Sequence, residues 1–236
     1  MSPSKYETLG DYHWRSIERR SPAELDRFSL PLWTRYAKVL ETLPRGARHV
    51  VEAGCGDGAL ASLMAHRCEK VTGCDLDAAA ITHAREHARD PARSGRMRFE
   101  NKSFEELGID EDSVDAVVLA DVIEHLDHPE TILREARRIL KPGGSLIMTT
   151  PIKKPRGSWD ALHVREYTES SIRSLLRDFF PRTRVDRFMP LVLFRTYQRF
   201  RFARYAFNSL KLLKMNPFAI SIPGMRHVML RSVSEK

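Results

Sequence analysis

The chain has 236 residues, 42% of them hydrophobic, enough for one α/β domain with a sizeable core and some additions. Its formal charge of +8 and pI near 9.6 leave nucleic acid, acidic substrates and anionic surfaces open as partners, with plain solubility charge as the alternative. Cys55, Cys68 and Cys74 form no Cys-x-x-Cys pair, no apolar run is long enough to span a bilayer and no signal-peptide core opens the chain, so a cytoplasmic protein with free thiols is expected rather than a disulfide framework.

Residues 1–45 read as an N-terminal helical cap. Tyr6, Tyr12, His13 and Trp14 stand among charges, with too few apolar residues for a core of their own. Ser21-Pro22-Ala23-Glu24 then has the form of a capping box with proline at the first helical position. Leu25, Phe28, Leu32, Tyr36, Val39 and Leu43 predict a helix over 22–43, which Pro31 divides in two.

From Val50 onward, strand and helix patterns alternate. Strands are expected over 50–53, 71–75, 97–100, 114–120 and 146–149, and helices near 58–67, 77–89, 129–140 and 169–179. Further strands over 183–188 and 227–233 complete a doubly wound, seven-stranded, mainly parallel α/β sheet. The chain is therefore one domain, with a core over 46–190, a helical insertion over 191–224 and the last strand in 225–236. Arg195, Arg199, Arg201, Arg204, Lys211 and Lys214 alternate in the insertion with Phe194, Tyr197, Phe200, Phe202, Tyr205 and Phe207, without an acid. That composition suits a substrate lid or a homodimer face, then a peripheral contact with anionic lipid over 191–215, and nucleic acid least.

The chain is organised around Val50-Val51-Glu52-Ala53-Gly54-Cys55-Gly56-Asp57-Gly58, a β-branched run that breaks into glycines and then a helix. Ala59 stands where a dinucleotide fingerprint needs its third glycine, and no Gly-Lys-Ser/Thr sequence is present. Glu52 is an awkward neighbour for a pyrophosphate but a good one for a cation. The second strand ends in Asp75, about twenty residues further on, where a carboxylate can accept from both hydroxyls of a ribose. Asp77 is placed to cap the next helix, and Lys141-Pro142-Gly143-Gly144 turns into the fifth strand.

Together these residues resemble the class I S-adenosylmethionine-dependent methyltransferases, over roughly 50–167. The resemblance implies S-adenosylmethionine as cofactor, held by Glu52, Gly54, Gly56 and Gly58, with Asp75 on the ribose and Leu76 beside the adenine. It also implies Ser103 and Phe104 near the adenine, although Lys102 replaces the usual acid there and Phe104 serves equally well as core. Ala120 and Asp121 then border the methionine end. Related proteins lay N-terminal helices over the cofactor, so Tyr12, His13 and Trp14 either touch it or simply pack.

Asp121-Val122-Ile123-Glu124-His125 resembles the Glu-x-x-Glu-His sequence of ubiquinone-biosynthesis O-methyltransferases and the metal site of small-RNA 3′-end 2′-O-methyltransferases, with a shorter first acid. On one helical turn, Asp121, Glu124 and His125 could hold a divalent metal, with His163 as a fourth group. The favoured reading has no metal, with Glu124 and His125 bonding backbone. His163-Val164-Arg165-Glu166-Tyr167 resembles a segment of small-molecule methyltransferases. Methylating a hydroxyl needs a base, and imidazole titrates near neutrality, which makes His125 and His163 the catalytic candidates. Arg165 and Tyr167 either orient an anionic or phenolic substrate or pair with neighbours such as Glu166. The expected activity is O-methylation of a small molecule with histidine-assisted deprotonation. The alternatives are an RNA 2′-O-methyltransferase with a metal at Asp121, Glu124 and His125, and a non-catalytic cofactor-binding subunit.

Overall fold

The computed structural model describes residues 4–17, 27–88 and 95–236. Strands β1 (His49–Ala53), β2 (Lys70–Cys74), β3 (Met97–Glu100), β4 (Val114–Ala120), β5 (Leu140–Pro151), β6 (Arg182–Pro190) and β7 (His227–Glu235) form one sheet in the order β3-β2-β1-β4-β5-β7-β6. The first five pair in parallel, and β7 lies antiparallel between β5 and β6. Fully buried parallel strands need apolar residues on both faces. Val117 and Leu119 accordingly pack to one side of β4 and Val118 to the other, all at 0% exposure.

Helices α1 (Lys5–Leu9), α2 (Tyr12–Ile17), α3 (Leu30–Leu40), α4 (Ala59–Met64) and α5 (Ala78–Ala88) come from the first half of the chain. On the other face lie α6 (Pro129–Ile139), amphipathic through Ile132, Leu133, Ala136 and Ile139, and α7 (Glu169–Arg177), which opens on a Thr168/Ser171 capping box. Between β6 and β7 run α8 (Leu191–Arg199) and α9 (Arg201–Leu210), followed by a 3-10 turn, Lys211–Leu213.

The helix expected over 22–43 needs correction. Its proposed capping box at Ser21 falls outside the described residues. The described helix, α3, starts at Leu30 and is capped by Ser29, whose hydroxyl accepts the Leu32 N–H at 3.3 Å. Pro31 therefore sits in the first turn of α3, where its missing N–H has no partner to lose. Trp14 and Ile17 are not an isolated cap but join the main core with Leu32, Tyr36 and Val39.

A third apolar cluster ties α8 and α9 to the start of α3, through Phe28, Leu30, Tyr197 and Phe218. At its centre the buried Asn208 side chain donates to the Phe28 carbonyl at 2.5 Å and accepts the Leu30 N–H at 3.2 Å and the Tyr197 hydroxyl at 3.1 Å. Removing such an amide leaves buried backbone groups unpaired. Asn208→Ala should lower global stability by about 2–3 kcal/mol and speed proteolysis across 191–215; chemical denaturation and limited trypsinolysis would read both effects.

Candidate functional site

Ligands in open α/β sheets bind beyond the carboxyl ends of the strands, where the winding direction reverses. Here that point lies between β1 and β4. The chain leaves β1 through Gly54, Gly56 and Gly58, with φ of 68°, 53° and 76°, a region that favours glycine. The three glycines serve different neighbours. A Cβ on Gly54 would lie 2.5 Å from Val122 and one on Gly58 2.8 Å from Phe99, so these two glycines serve internal packing. A Cβ on Gly56 would meet the Tyr6 hydroxyl at 2.0 Å, because α1 and α2 lie across the loop as a strap. The Tyr6 hydroxyl is 3.0 Å from His13 Nδ1, and the Tyr12 ring lies 4.1 Å from the His13 ring, whereas Trp14 stacks on His87 away from the loop.

Carboxyls dominate the crevice. Glu52 is 2% exposed, and its Oε2 has no hydrogen-bond partner among the described residues. Burial, then the neighbouring Asp57 and Asp75, hold it well above the ordinary carboxylate range. Asp57 accepts the N–H groups of His13 at 2.9 Å, Trp14 at 3.0 Å and Ala59 at 3.3 Å, yet burial still lifts it to about 6. Asp75 accepts from Gly56 N–H and Asp77 N–H, each at 2.9 Å, and burial raises it too. Asp77 caps α5 through the Ala79 N–H at 2.9 Å. Leu76 is 76% exposed beside the crevice. Ser103 turns to its own chain, both its N–H and its hydroxyl reaching Glu106, and Phe104 is buried in the core beneath β4.

Beyond Ala120 the chain turns at Asp121 with φ 59°, a strained conformation for a residue with a side chain. Asp121 pairs with Arg35 of α3 and accepts the Thr149 hydroxyl at 2.9 Å. A 3-10 turn, Ile123–His125, follows. Asp121, Glu124 and His125 therefore do not share a helical turn, which overturns the spacing argument for that metal trio. The group that could hold a cation is instead Glu124, His125 and His163, with candidate ligand atoms within 4.8 Å of one another. His163 arrives on the loop after β5, which is fastened by the Arg165 N–H to the Glu124 carbonyl at 3.1 Å. His125 Nδ1 lies 3.1 Å from the Leu162 carbonyl and His163 Nδ1 3.1 Å from Glu166 Oε1. Both partners accept, so each Nδ1 carries a proton, and in the neutral ring the lone pair is on Nε2. Glu124 is fully buried, takes the Thr150 hydroxyl at 3.0 Å on one oxygen, and has no partner on the other among the described residues. Burial, then the charge of Asp121, raises it to about 8. Tyr167 is 2% exposed and packs in the core under α6, while Arg165 is exposed.

A cavity of about 420 Å³ opens between α3 and α8, lined by Phe28, Leu32, Tyr197 and Met229 with Arg35 and Arg204. Arg35 thus joins this cavity to Asp121. A larger depression of about 740 Å³ lies at the opposite edge of the sheet, at the amino end of β6.

Residues 51–148 match the family model described as "Methyltransferase domain". This stretch is similar to methyltransferase domains. Over 104 residues the chain is 39% identical to a probable S-adenosylmethionine-dependent methyltransferase of Mycolicibacterium smegmatis, covering 44% of this chain and 38% of that protein. Over 121 residues it is 35% identical to a ubiquinone biosynthesis O-methyltransferase of Alkalilimnicola ehrlichii, covering 51% and 48%. The chain thus spans less than half the length of these relatives. The solved phosphoethanolamine N-methyltransferase 2 of Haemonchus contortus, in complex with S-adenosyl-L-methionine, superposes with a TM-score of 0.68 at 16% identity, over 99% of this chain and 58% of that one. A SAM-dependent methyltransferase from Archaeoglobus fulgidus superposes at 0.63 and 16%, over 90% and 97%. These likenesses establish a shared fold, a Rossmann-like seven-stranded sheet.

Three site residues escaped sequence reasoning: Tyr6 on Gly56, Arg35 on Asp121 and Glu166 on His163. Only Glu166 had a local signal, since it stands three residues after His163. The Asp57 result predicts a pH effect. A carboxyl raised from 3.8 to about 6 contributes stability that is complete below pH 3.8 and lost as pH rises through 6. Asp57→Asn should therefore flatten the stability profile between pH 4 and 7 by about 3 kcal/mol, as read by urea unfolding at several pH values.

Proposed function

We propose that this protein is an S-adenosylmethionine-dependent methyltransferase that methylates a hydroxyl of a small molecule, with His163 taking the acceptor's proton. The observation that carries the reading is the oriented pair of imidazoles at the carboxyl ends of β4 and β5, the sheet edge shared with the glycine loop. The His163 side chain is 7% exposed and braced by Glu166, so its Nε2 is a fixed base, while His125 stands exposed at the mouth.

The crevice suits this cofactor. A buried, unpartnered carboxylate oxygen on Glu52 and the raised carboxyls of Asp57 and Asp75 favour a cation over a phosphate. In this reading Glu52 and the loop at Gly54, Gly56 and Gly58 hold the amino-acid portion with Ala120 and Asp121. Asp75 holds the ribose, and Leu76 and Ser103 flank the base. The bound cofactor supplies an electrophilic methyl group on a sulfonium. The protein's share is alignment, exclusion of water beneath the Tyr6–His13 strap and removal of the proton by His163. The cavity between α3 and α8 receives the acceptor, with an apolar wall and Arg35 and Arg204 for a polar or anionic group. Arg165 stays at the exposed rim, and Tyr167 supports the loop from the core.

Glu124, His125 and His163 also support a second reading, in which both Nε2 atoms and the free Glu124 oxygen hold a divalent cation. Two nitrogens and one oxygen suit Mn²⁺ or Zn²⁺ better than Mg²⁺. The readings compete for the same lone pairs and are therefore separable. A base mechanism predicts turnover indifferent to chelators and no metal by elemental analysis, whereas a metal site predicts loss on chelation and recovery with Mn²⁺ or Zn²⁺. An RNA acceptor would further show affinity falling steeply with salt.

Two substitutions test the main reading. Asp75→Ala should weaken adenosylhomocysteine binding by about 10- to 100-fold, the loss of one or two hydrogen bonds to a charged group; an unchanged calorimetric affinity refutes the ribose assignment. In a screen of phenols and other hydroxylated acceptors that follows adenosylhomocysteine formation, His163→Ala should lower kcat by about 10²- to 10⁴-fold with cofactor affinity retained. Equal turnover by the variant rules out the base.

A further inference from the structure

Between Phe188 and Ser234 the chain holds eight arginines and lysines and no aspartate or glutamate. Arg195, Arg199, Arg201, Arg204 and Lys214 have no carboxylate partner among the described residues, whereas Arg231 at the end of the segment pairs with Asp186. The same segment carries a group of exposed large apolar side chains: Phe202 at 75%, Leu213 at 69%, Leu212 at 57%, Met215 at 54% and Tyr205 at 51%.

These apolar residues are not scattered. Phe202, Tyr205 and Ser209 fall at i, i+3 and i+7 on one face of α9, and Leu212 and Leu213 follow in the 3-10 turn that continues it. The opposite face of α9, with Ala203, Phe207 and Asn208, packs onto the protein and is pinned to the start of α3. The outward stripe is therefore presented by a helix that is held in place, not by a loose tail.

We propose that this α8–α9 arm docks the protein on an anionic lipid bilayer. The α9 helix lies in the headgroup plane, Phe202, Leu212, Leu213 and Met215 enter the acyl boundary, and Arg199, Arg201 and Lys214 meet lipid phosphates. A large apolar face bordered by unpaired cations and free of acids is the chemistry of an interfacial helix. Two other occupants fit less well. A second copy of this chain on the same face would set cations against cations with no acid to meet them. A nucleic acid would use the arginines and stack on the aromatic rings but leave the leucines and Met215 unexplained. The arm also forms one wall of the α3–α8 cavity through Tyr197 and Arg204, so docking places that cavity near the lipid.

The test uses the full chain and vesicles of phosphatidylcholine with or without phosphatidylglycerol, with binding read by co-sedimentation. It needs no turnover, so its failure leaves the transferase reading standing. Partition onto the anionic vesicles, weak binding to phosphatidylcholine alone and weakening with added salt are expected. The double variant F202S/L213S should lose about tenfold or more in partition, and R199Q/R201Q roughly fivefold per charge removed. Both pairs lie on the surface, and unchanged thermal unfolding confirms that the variants fold. The proposal is overturned by any of three results: no partition onto anionic vesicles at low salt, unaltered partition in both variants, or a short RNA or self-association that accounts for the face and is lost in F202S/L213S while vesicle binding stays.

Discussion

Carboxyls gathered at the carboxyl edge of the sheet, with little positive charge to meet them, govern the rest of this structure. Glu52 and Asp57 are buried, Asp75 lies between them and the rim, and Arg35 is engaged by Asp121. Taking an ionised carboxylate out of water costs several kcal/mol, even after relaxation. The fold offsets part of that with backbone donors: three N–H groups to Asp57 and two to Asp75. Each such bond contributes about 1.5–3 kcal/mol, yet burial wins, and both carboxyls remain above their ordinary range. The residue of that contest is a crevice that gains from a positive charge and loses from a phosphate. The glycine loop gives the site its shape, and the acids give it its preference.

The same carboxylates hold the N-terminal strap. His13 and Trp14 reach Asp57 through their backbone N–H groups, so α2 is attached to the crevice wall rather than merely laid over it. Its other ties, Lys5 to Asp160 and His87 to Asp11, are partly exposed pairs of the kind that contribute at most about 1 kcal/mol each. Burial of Trp14 against His87 and the Asp57 bonds therefore carry the attachment. Strap position and crevice charge are consequently one equilibrium: protonating Asp57 weakens both its bonds to the strap and its pull on a cation.

The sheet was legible because burial on two faces forces Val-rich runs, and Val50-Val51 and Val117-Val118 have no other use. Asp77 was legible because the N–H groups it caps stand two and three residues on. Where reading failed, the cause was a backbone geometry that composition does not encode. Asp121, Glu124 and His125 have helical spacing, but the chain leaves β4 through Asp121 at φ 59° into a 3-10 turn, and the side chains part. Pro31 has the look of a breaker until the Ser29 cap moves the helix start beside it. Arg35 and Asp121 are 86 residues apart, and nothing in either neighbourhood announces the other.

Topology explains why strap and arm flank one rim. Because β7 runs antiparallel to β5, Pro151 lies opposite Met229, and Pro190 opposite His227. The segment joining β6 to β7 therefore emerges at the same sheet edge as the glycine loop. The strap covers the loop that leaves β1, while α8 packs at the ends of β6 and β7. Helix α3 spans the gap between them. Its first turn is held by Asn208 of the arm, and a little over one turn later Arg35 grips Asp121 beside the histidines. A helix is stiff over so short a distance, so a shift of the arm moves Arg35 with it. Arg35 and the Thr149 hydroxyl both hold the Asp121 carboxylate at the point where the backbone is left-handed. Helix α3 thus links the arm, through Asn208, to the turn that carries Glu124 and His125, through Arg35 and Asp121.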